Sequence, residues 1–414
     1  MLITIGMIYF IYVLLKVYIS TMEVGYIAKA KHDTPVILTL KNYIKAAEYK
    51  IAGQRMSILS TLVDYAMFIF WISVGLKWLD SAIMIDDIAM KSVAFVLVFG
   101  AINYVVGLPF DLYQTFGMDK KFGFSNMDAK LYIVDALKGA LLFVLFGGAM
   151  TWAIAEIILH FENWWIWGFA LVFIIVLIIN IIYPTVIAPL FNKFTILKNE
   201  ELQSSIETLL SSVGLKTEGV YTIDASKRDN RLNAYFGGLG NSKRVVLYDT
   251  LIEKLTKNEL LAVLGHELGH FKHKDILKNL AMTGLLLLVM FAIFGNLPNS
   301  LFEAVGVEKS PYMILAFFMI FSPIISFFYM PLFGMVSRSN EYHADEFGAS
   351  CESAPVLAEA LQKLANENKS FPKSHPLFSF FYYTHPPLVE RLQRLGMDIN
   401  TAEDKSLQES CPST

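Results

Sequence analysis

The sequence predicts a mainly α, polytopic membrane protein with about seven transmembrane helices, plus a small α+β domain with a short β-hairpin outside the lipid. Three observations carry that prediction. Apolar residues make up 55% of the 414 and charged residues only 17%, where a soluble chain has about a quarter charged. The apolar residues gather into seven long blocks, and the loops between the blocks alternate in charge. The formal net charge of −3 offers no footprint for nucleic acid, so no nucleic-acid partner is expected.

A helix needs about 20 apolar residues to cross the hydrocarbon core. Seven segments qualify: Leu2–Ile19, Ile58–Trp78, Ala89–Leu108, Ile133–Ile158, Trp164–Ile187, Ile276–Leu297 and Tyr312–Met335. Trp164, Trp165 and Trp167 open the fifth as an interfacial aromatic anchor. The loop after the first span is basic, with Lys29, Lys31, Lys41, Lys45, Lys50 and Arg55. Lys120, Lys121 and Lys130 follow the third, and a long Lys-bearing stretch follows the fifth. The loops after the second and fourth are acidic, holding Asp80, Asp86 and Asp87, then Glu156 and Glu162. The positive-inside rule then puts the N-terminus outside and the loops after spans one, three, five and seven in the cytoplasm.

Two stretches, 191–275 and 337–414, are polar enough to fold outside the lipid, and both fall on the cytoplasmic side. The chain accordingly divides into residues 1–190, a membrane region of five transmembrane helices, and 191–414, a domain that includes helices six and seven (about 276–297 and 312–335). The residues from Thr401 onward are polar and expected to be disordered. Cys351 and Cys411 form no CxxC-type pair and read as free thiols. Cys411 stands fourth from the end, but Pro412 and Ser413 are poor stand-ins for the aliphatic pair of a prenylation box. The apolar run at Leu2 has no basic leader, so no cleavable signal peptide is expected.

The sharpest chemical signal is the HExxH pattern His266-Glu267-Leu268-Gly269-His270. Residues four apart share a helix face, so both imidazoles can reach one metal ion. Glu267 is turned partly to the same side and can act as general base on a metal-activated water without being a ligand. A catalytic zinc commonly has three protein ligands and a water. Asn340-Glu341-Tyr342-His343-Ala344-Asp345 supplies Glu341 as the third. Asp345, one turn on, can accept the distal N–H of a ligand histidine and fix its orientation. Arg338, one turn before Glu341, is either a brace for these carboxylates or an ordinary juxtamembrane arginine. His273 lies a turn beyond the site and should miss the metal, and His343 faces another way. His385, before Pro386-Pro387, sits in a fixed loop that either returns to the site or stays in solvent.

One zinc ion is the expected cofactor, because mixed His and carboxylate ligation suits it. It would acidify a water and polarise a carbonyl, which makes metal-assisted peptide hydrolysis the expected reaction. Asn233-Ala234-Tyr235-Phe236-Gly237-Gly238 and Arg244–Tyr248 read as two strands about a Gly-rich turn. Their exposed edge could pair with an extended peptide, or the pair is a plain structural hairpin.

Taken together, these segments resemble the integral-membrane zinc CAAX prenyl proteases, the family of the yeast a-factor-converting enzyme. The likeness runs along nearly the whole chain: Phe122–Asn126, Ile187–Phe194, Asn233–Phe236, His266–His270, Arg338–Asp345 and Thr384–Leu392. It implies seven helices around a chamber with the zinc site at its cytoplasmic end. It further implies that His385 helps stabilise the tetrahedral intermediate or binds substrate, and that Asn233–Phe236 is the substrate-pairing edge. In eukaryotic members the substrate is a prenylated C-terminal peptide that loses its last three residues. Departures such as Phe124-Ser125-Asn126 after Gly123 point to a bacterial homologue in the cytoplasmic membrane; a eukaryotic source would place it in the endoplasmic reticulum. Peptide or protein substrates, prenylated or not, and membrane lipid are the expected partners. Two other readings compete: a quality-control metalloprotease with unprenylated membrane-protein substrates, and a membrane zinc transporter or channel. Transporters place ionisable residues within their spans, whereas these ligands lie outside them, and Glu267 would have no role in transport.

Overall fold

The computed structural model describes residues 1–215, 219–237, 244–397 and 399. The tail from Thr401 with Cys411, and the Gly-rich turn at 238–243, lie outside the described residues. Five helices long and apolar enough to cross a membrane come first: α1 (Leu2–Ala30), α2 (Leu40–Ala82), α3 (Ile88–Phe122), α4 (Ala129–His160) and α5 (Trp164–Phe191). Side-chain oxygens cap the starts of α2, α3 and α4. Thr39 accepts from the Asn42 N–H, Asp87 from Met90 and Asp128 from Leu131. Four of the five contain a π-helical stretch at or beside a Gly or Pro, namely Trp71–Gly75, Tyr113–Asp119, Phe143–Gly147 and Tyr183–Ile187.

The chain then builds β1 (Phe194–Ile196), α6 (Glu200–Ser212), β2 (Val220–Ile223), β3 (Ala234–Gly237), β4 (Arg244–Tyr248) and α7 (Lys257–Lys272). The last two apolar helices follow, α8 (Asp275–Gly295) and α9 (Pro311–Cys351). Three shorter helices follow among the described residues: α10 (Ala354–Glu367), a two-turn helix Pro376–Tyr382, and α11 (Leu388–Arg394). All seven spans expected from hydropathy are present, and the helices outrun the apolar blocks. Hydropathy marks only the part meant for lipid, while backbone hydrogen bonding continues the helix into water wherever nothing breaks it. In α9 this carries Glu341 and Asp345 beyond Met335 on one continuous helix.

Large apolar side chains such as Leu14, Val105, Leu137 and Phe146 stay exposed, the condition expected where lipid covers a helix. Inside the bundle Trp71, Phe95, Phe302 and Phe317 are buried. Beside them lies a cavity of about 340 Å³ lined in part by Tyr12, Lys16, Asp64 and Asn103, so the helices also enclose polar space.

The four strands form one mixed sheet in the order β1-β2-β4-β3. β3 and β4 pair antiparallel with Ala234 opposite Leu247 and Gly237 opposite Arg244, as the hairpin reading expects. β1 and β2 were not legible; β2 lies parallel to β4 and β1 antiparallel to β2. Ile206 and Leu210 of α6, Val245 and Leu247 of β4, and Leu260 and Leu264 of α7 make the core beneath it. Arg228 ties this region to the membrane helices with a two-pronged ion pair to Asp135 of α4, at 2.8 and 3.1 Å.

Helices α7 and α9 pack backbone against backbone. A Cβ added at Gly348 would fall 2.9 Å from the His266 amide nitrogen, and one at Gly269 would fall 2.7 Å from the Ala344 Cα. Only glycine lets the backbones approach this far, and both contacts flank the histidines. Gly348→Ala should therefore push the helices apart and destabilise the protein by about 1–3 kcal/mol. The check is a lower Tm by thermal scanning, together with metal content per chain below that of the parent protein.

Candidate metal centre and active site

Helix α7 begins with a capping box. Thr256 accepts from the Glu259 N–H and the Glu259 carboxylate accepts from the Thr256 N–H at 2.7 Å. Lys363 of α10 holds the same carboxylate at 3.0 Å. Anchored at that end, α7 presents His266 and His270 one turn apart, with ring centroids 4.9 Å apart and planes at 88°. Glu341 reaches both from α9: its Oε2 is 3.6 Å from His266 Nε2 and its Oε1 is 3.3 Å from His270 Nε2. The ligating atoms of the three residues lie within 4.8 Å of one another.

The far nitrogen of each ring is already committed. His266 Nδ1 lies 2.8 Å from Asp345 Oδ1, and His270 Nδ1 lies 2.9 Å from Asp275 Oδ2. With each Nδ1–H donated to a carboxylate, each Nε2 keeps its lone pair for a metal. Both anchoring carboxylates are themselves held. Arg391 donates twice to Asp345, at 2.8 and 2.7 Å, and Lys278 reaches Asp275 at 2.8 Å.

The arrangement fits a divalent metal on two counts. Glu341 Oε2 is buried without a hydrogen-bond partner, and its nearest cationic atom, Arg391 Nη1, is 3.4 Å away. An orphaned buried carboxylate oxygen is costly unless a cation satisfies it. Moreover, a tetrahedral site with bonds of about 2.0–2.1 Å has ligand-to-ligand edges of about 3.3–3.4 Å; the His270 separation of 3.3 Å matches such an edge and the His266 separation of 3.6 Å is slightly longer.

Glu267, between the histidines in sequence, is partly buried, and burial pushes its carboxyl pKa up, an effect the neighbouring histidines partly oppose. His385 returns from its loop so that its Nε2 lies 3.2 Å from Glu341 Oε1, although the side chain remains mostly exposed. Its Nδ1 rests 3.0 Å from the Thr384 hydroxyl. His273 ends α7, and its ring lies 5.4 Å from that of His343, so the two face one another.

The structure corrects one expectation. Arg338 does not brace Glu341 or Asp345. Its guanidinium donates to the Tyr383 carbonyl at 2.6 Å and the Ser379 carbonyl at 3.4 Å. It thereby holds the end of the short helix Pro376–Tyr382, which leads into the His385 loop. One turn along a helix places Arg338 near Glu341 in sequence but on a face turned to that segment. Arg391 braces the carboxylates instead, and sequence reasoning gave it no such role.

β3 is the sheet's outer strand on the α7 side. The Tyr248 N–H donates to the Asn233 carbonyl. Because antiparallel strands alternate, the peptide groups of Ala234 and Phe236 face the open edge while those of Tyr235 and Gly237 face β4. Beside His385 opens a cavity of about 520 Å³, lined in part by Tyr383, Thr384, Pro386 and Arg391.

The chain matches the family described as CAAX prenyl protease N-terminal, five membrane helices, over residues 29–193, and peptidase family M48 over residues 196–397. It is 38% identical to the CAAX prenyl protease 1 homolog of Oryza sativa subsp. japonica, across 71% of this chain and 70% of that protein. It is 31% identical to CAAX prenyl protease 1 of Saccharomyces cerevisiae, across 86% and 84%. The crystal structure of S. mikatae Ste24p superposes with a TM-score of 0.87 at 27% identity, covering 95% of this chain and 98% of that one.

The committed Nδ1 atoms generate a test. Asp275→Asn should weaken metal binding by about 10–100-fold, because an amide orients the imidazole less firmly and does not raise its basicity. Competition with a chromophoric chelator measures it; unchanged affinity would show that Asp275 serves only to start α8.

Proposed function

The chain belongs to peptidase family M48 and to its CAAX prenyl proteases, and we propose that His266, His270 and Glu341 hold one catalytic zinc ion in this membrane metalloprotease. The observation that carries this assignment is the convergence of two imidazole Nε2 atoms, each with its Nδ1 fixed, on a carboxylate with an orphaned oxygen.

When bound, zinc supplies a Lewis acid that acidifies water and polarises the scissile carbonyl. Glu267 removes the proton from the attacking water and delivers it to the nitrogen of the leaving amine. As that proton arrives, the C–N bond breaks, leaving a carboxylate on one fragment and an amine on the other. His385, with its Nε2 3.2 Å from Glu341 Oε1, donates to the carbonyl oxygen as it gains negative charge. Asp345 and Asp275 orient the two imidazoles, Arg391 secures Asp345, and Arg338 secures the segment that carries His385. Asn233 to Phe236 pair with the extended substrate, through the outward peptide groups of Ala234 and Phe236.

The substrate class is a peptide with a prenylated cysteine near its C-terminus, cut to release the last three residues, with the prenyl chain kept near lipid. The basic loops favour a cytoplasmic placement of the site. The membrane region is residues 1–190, and residues 191–414 form the peptidase region with helices α8 and α9.

Purified protein should cleave a quenched-fluorescent farnesylated CAAX peptide. Glu267→Gln should lower kcat by about a thousandfold, within the 10²–10⁴ typical of general-base loss, while metal content stays at one ion per chain. Chelation should abolish cleavage and added zinc restore it. Turnover that survives Glu267→Gln would remove this residue as the base. Equal cleavage of an unprenylated peptide would instead favour the quality-control reading.

His385→Ala separates the last role. A group that binds the developing oxyanion lowers kcat by about 10²–10³ and leaves KM nearly alone. A rise in KM with kcat preserved would make His385 a ground-state substrate contact.

A further inference from the structure

Lys369 sits where two local costs coincide. It adopts a left-handed backbone conformation, φ +46°, just past the end of α10, a place where glycine is usual. Its side chain is half-buried beside other cations and, among the described residues, makes no ion pair; its ammonium lies over the ring of Phe124, 4.4 Å from the centroid. The Arg231 guanidinium lies over the same ring at 4.1 Å. Burial pulls the Lys369 pKa down, Lys45 and Arg231 push it the same way, and Glu367 opposes them in part. An ammonium without an ion pair, beside two other cations, would gain from an anion supplied from outside the chain.

The surroundings say which anion. Lys369 and Lys50 line a cavity of about 420 Å³ that also includes Gly53, Gln54 and Gln114. This cavity shares Asn368, Ser370, Phe371 and Tyr383 with the cavity of about 520 Å³ beside His385, so a peptide leaving the catalytic centre can enter it. Lys50 is paired with Glu23 at 2.6 Å, which leaves Lys369 as the uncommitted charge of the two.

The position relative to β3 fixes a direction. Asn368, the neighbour of Lys369, clamps both peptide groups of Leu232 just ahead of β3. Its Oδ1 accepts from the Leu232 N–H at 2.8 Å, and its Nδ2 donates to the Leu232 carbonyl at 3.1 Å. Lys369 therefore stands at the N-terminal end of the edge strand. At the other end, Gly237 packs against Pro184 of the membrane helix α5. A substrate paired antiparallel to β3 directs its N-terminal side toward α5 and the lipid, and its C-terminal side toward Lys369.

We propose that Lys369 binds the free C-terminal carboxylate of the substrate, and of the short peptide released from it, selecting peptides that end in an acid and setting their direction along β3. This rests on the reading above that the chain cleaves near a C-terminus. No bond is made or broken at the site; the contact is an ion pair with hydrogen bonds.

The test uses full-length Glu267→Gln protein, so that binding is read without turnover. A tripeptide with the sequence of the leaving fragment is compared as free acid and as C-terminal amide, by displacement of a fluorescent peptide. The acid should bind about tenfold more tightly, the usual margin for a charge-assisted contact. Lys369→Ala should bring the ratio to about one, and Lys369→Arg should keep most of it. Because Ala is strained at positive φ, Lys369→Gly serves as the second neutral variant, with Tm as the folding control. Equal binding of acid and amide by the parent, or a preference that survives both neutral variants, overturns the proposal. An intact Lys369-dependent preference in a protein whose Glu267 form cleaves nothing supports this site and counts against the hydrolytic reading instead.

Discussion

The catalytic geometry depends on how closely α7 can lie against α9. α7 carries two imidazoles, α9 carries the third candidate ligand, and neither helix alone can close a metal site. Glycine at 265 and 269 on one helix and at 348 on the other, with Ala344, brings backbone against backbone. Packing of this kind is stiff, since any added methyl must move a whole helix rather than a side chain. The sequence therefore uses small residues on the two turns that flank the ligands and leaves the bulky ones for the sheet side of α7, where Leu260, Leu264 and Leu268 fill the core.

Holding the helices close concentrates charge. Glu267, Glu341, Asp345 and Asp275 lie within one small volume, opposed by Arg391 and Lys278. Four carboxylates against two cations leave two negative charges, the amount a divalent ion neutralises. Without compensation such an arrangement would cost several kcal/mol in desolvation. The division of labour follows. Asp345 and Asp275 spend their charge on the outer nitrogens of the imidazoles, and Glu341 alone keeps an oxygen facing inward. Among the described residues Glu267 forms no ion pair with either cation, and burial pushes its carboxyl pKa up, which suits the proton exchange proposed for it.

How much of this could be read from the chain depended on distance along it. The seven spans announced themselves through hydropathy, and the paired histidines through spacing on a single helix. Glu341 and Asp345 followed because they too are four apart. β1 and β2 escaped because three- and four-residue strands are too short to display alternation, and β2 gains its place by parallel pairing with a strand beyond an intervening hairpin segment. Arg391 escaped for a stronger reason: it reaches Asp345 from α11, and nothing local marks an arginine as the partner of a carboxylate on another element. Arg338 shows the converse: nearness in sequence left open a brace for these carboxylates, while its guanidinium donates to the Tyr383 carbonyl. Asp275 was the one missed residue with a local signal. It follows His270 by five positions, just past the left-handed turn at Lys274 that ends α7 and sends the chain into α8.

That turn also shows why a soluble peptidase core can be built around transmembrane helices. Asp275 is at once the first residue of α8, where a carboxylate suits the positive end of the helix dipole, and the anchor of the His270 imidazole, a candidate ligand. α9 likewise begins among the apolar spans and carries the candidate ligand Glu341 beyond them. The site is thus fixed to the bilayer through two helices that run directly out of it, and the edge strand is fixed through Gly237 against α5. A substrate paired with β3 as proposed would meet a membrane helix at one end and Lys369 with its neighbouring cations at the other. A chain with a lipid-soluble group on one side of the cut bond and a free acid on the other matches both ends only in one orientation. The scaffold's own asymmetry, rather than any single pocket, would then decide which bond is brought to Glu267.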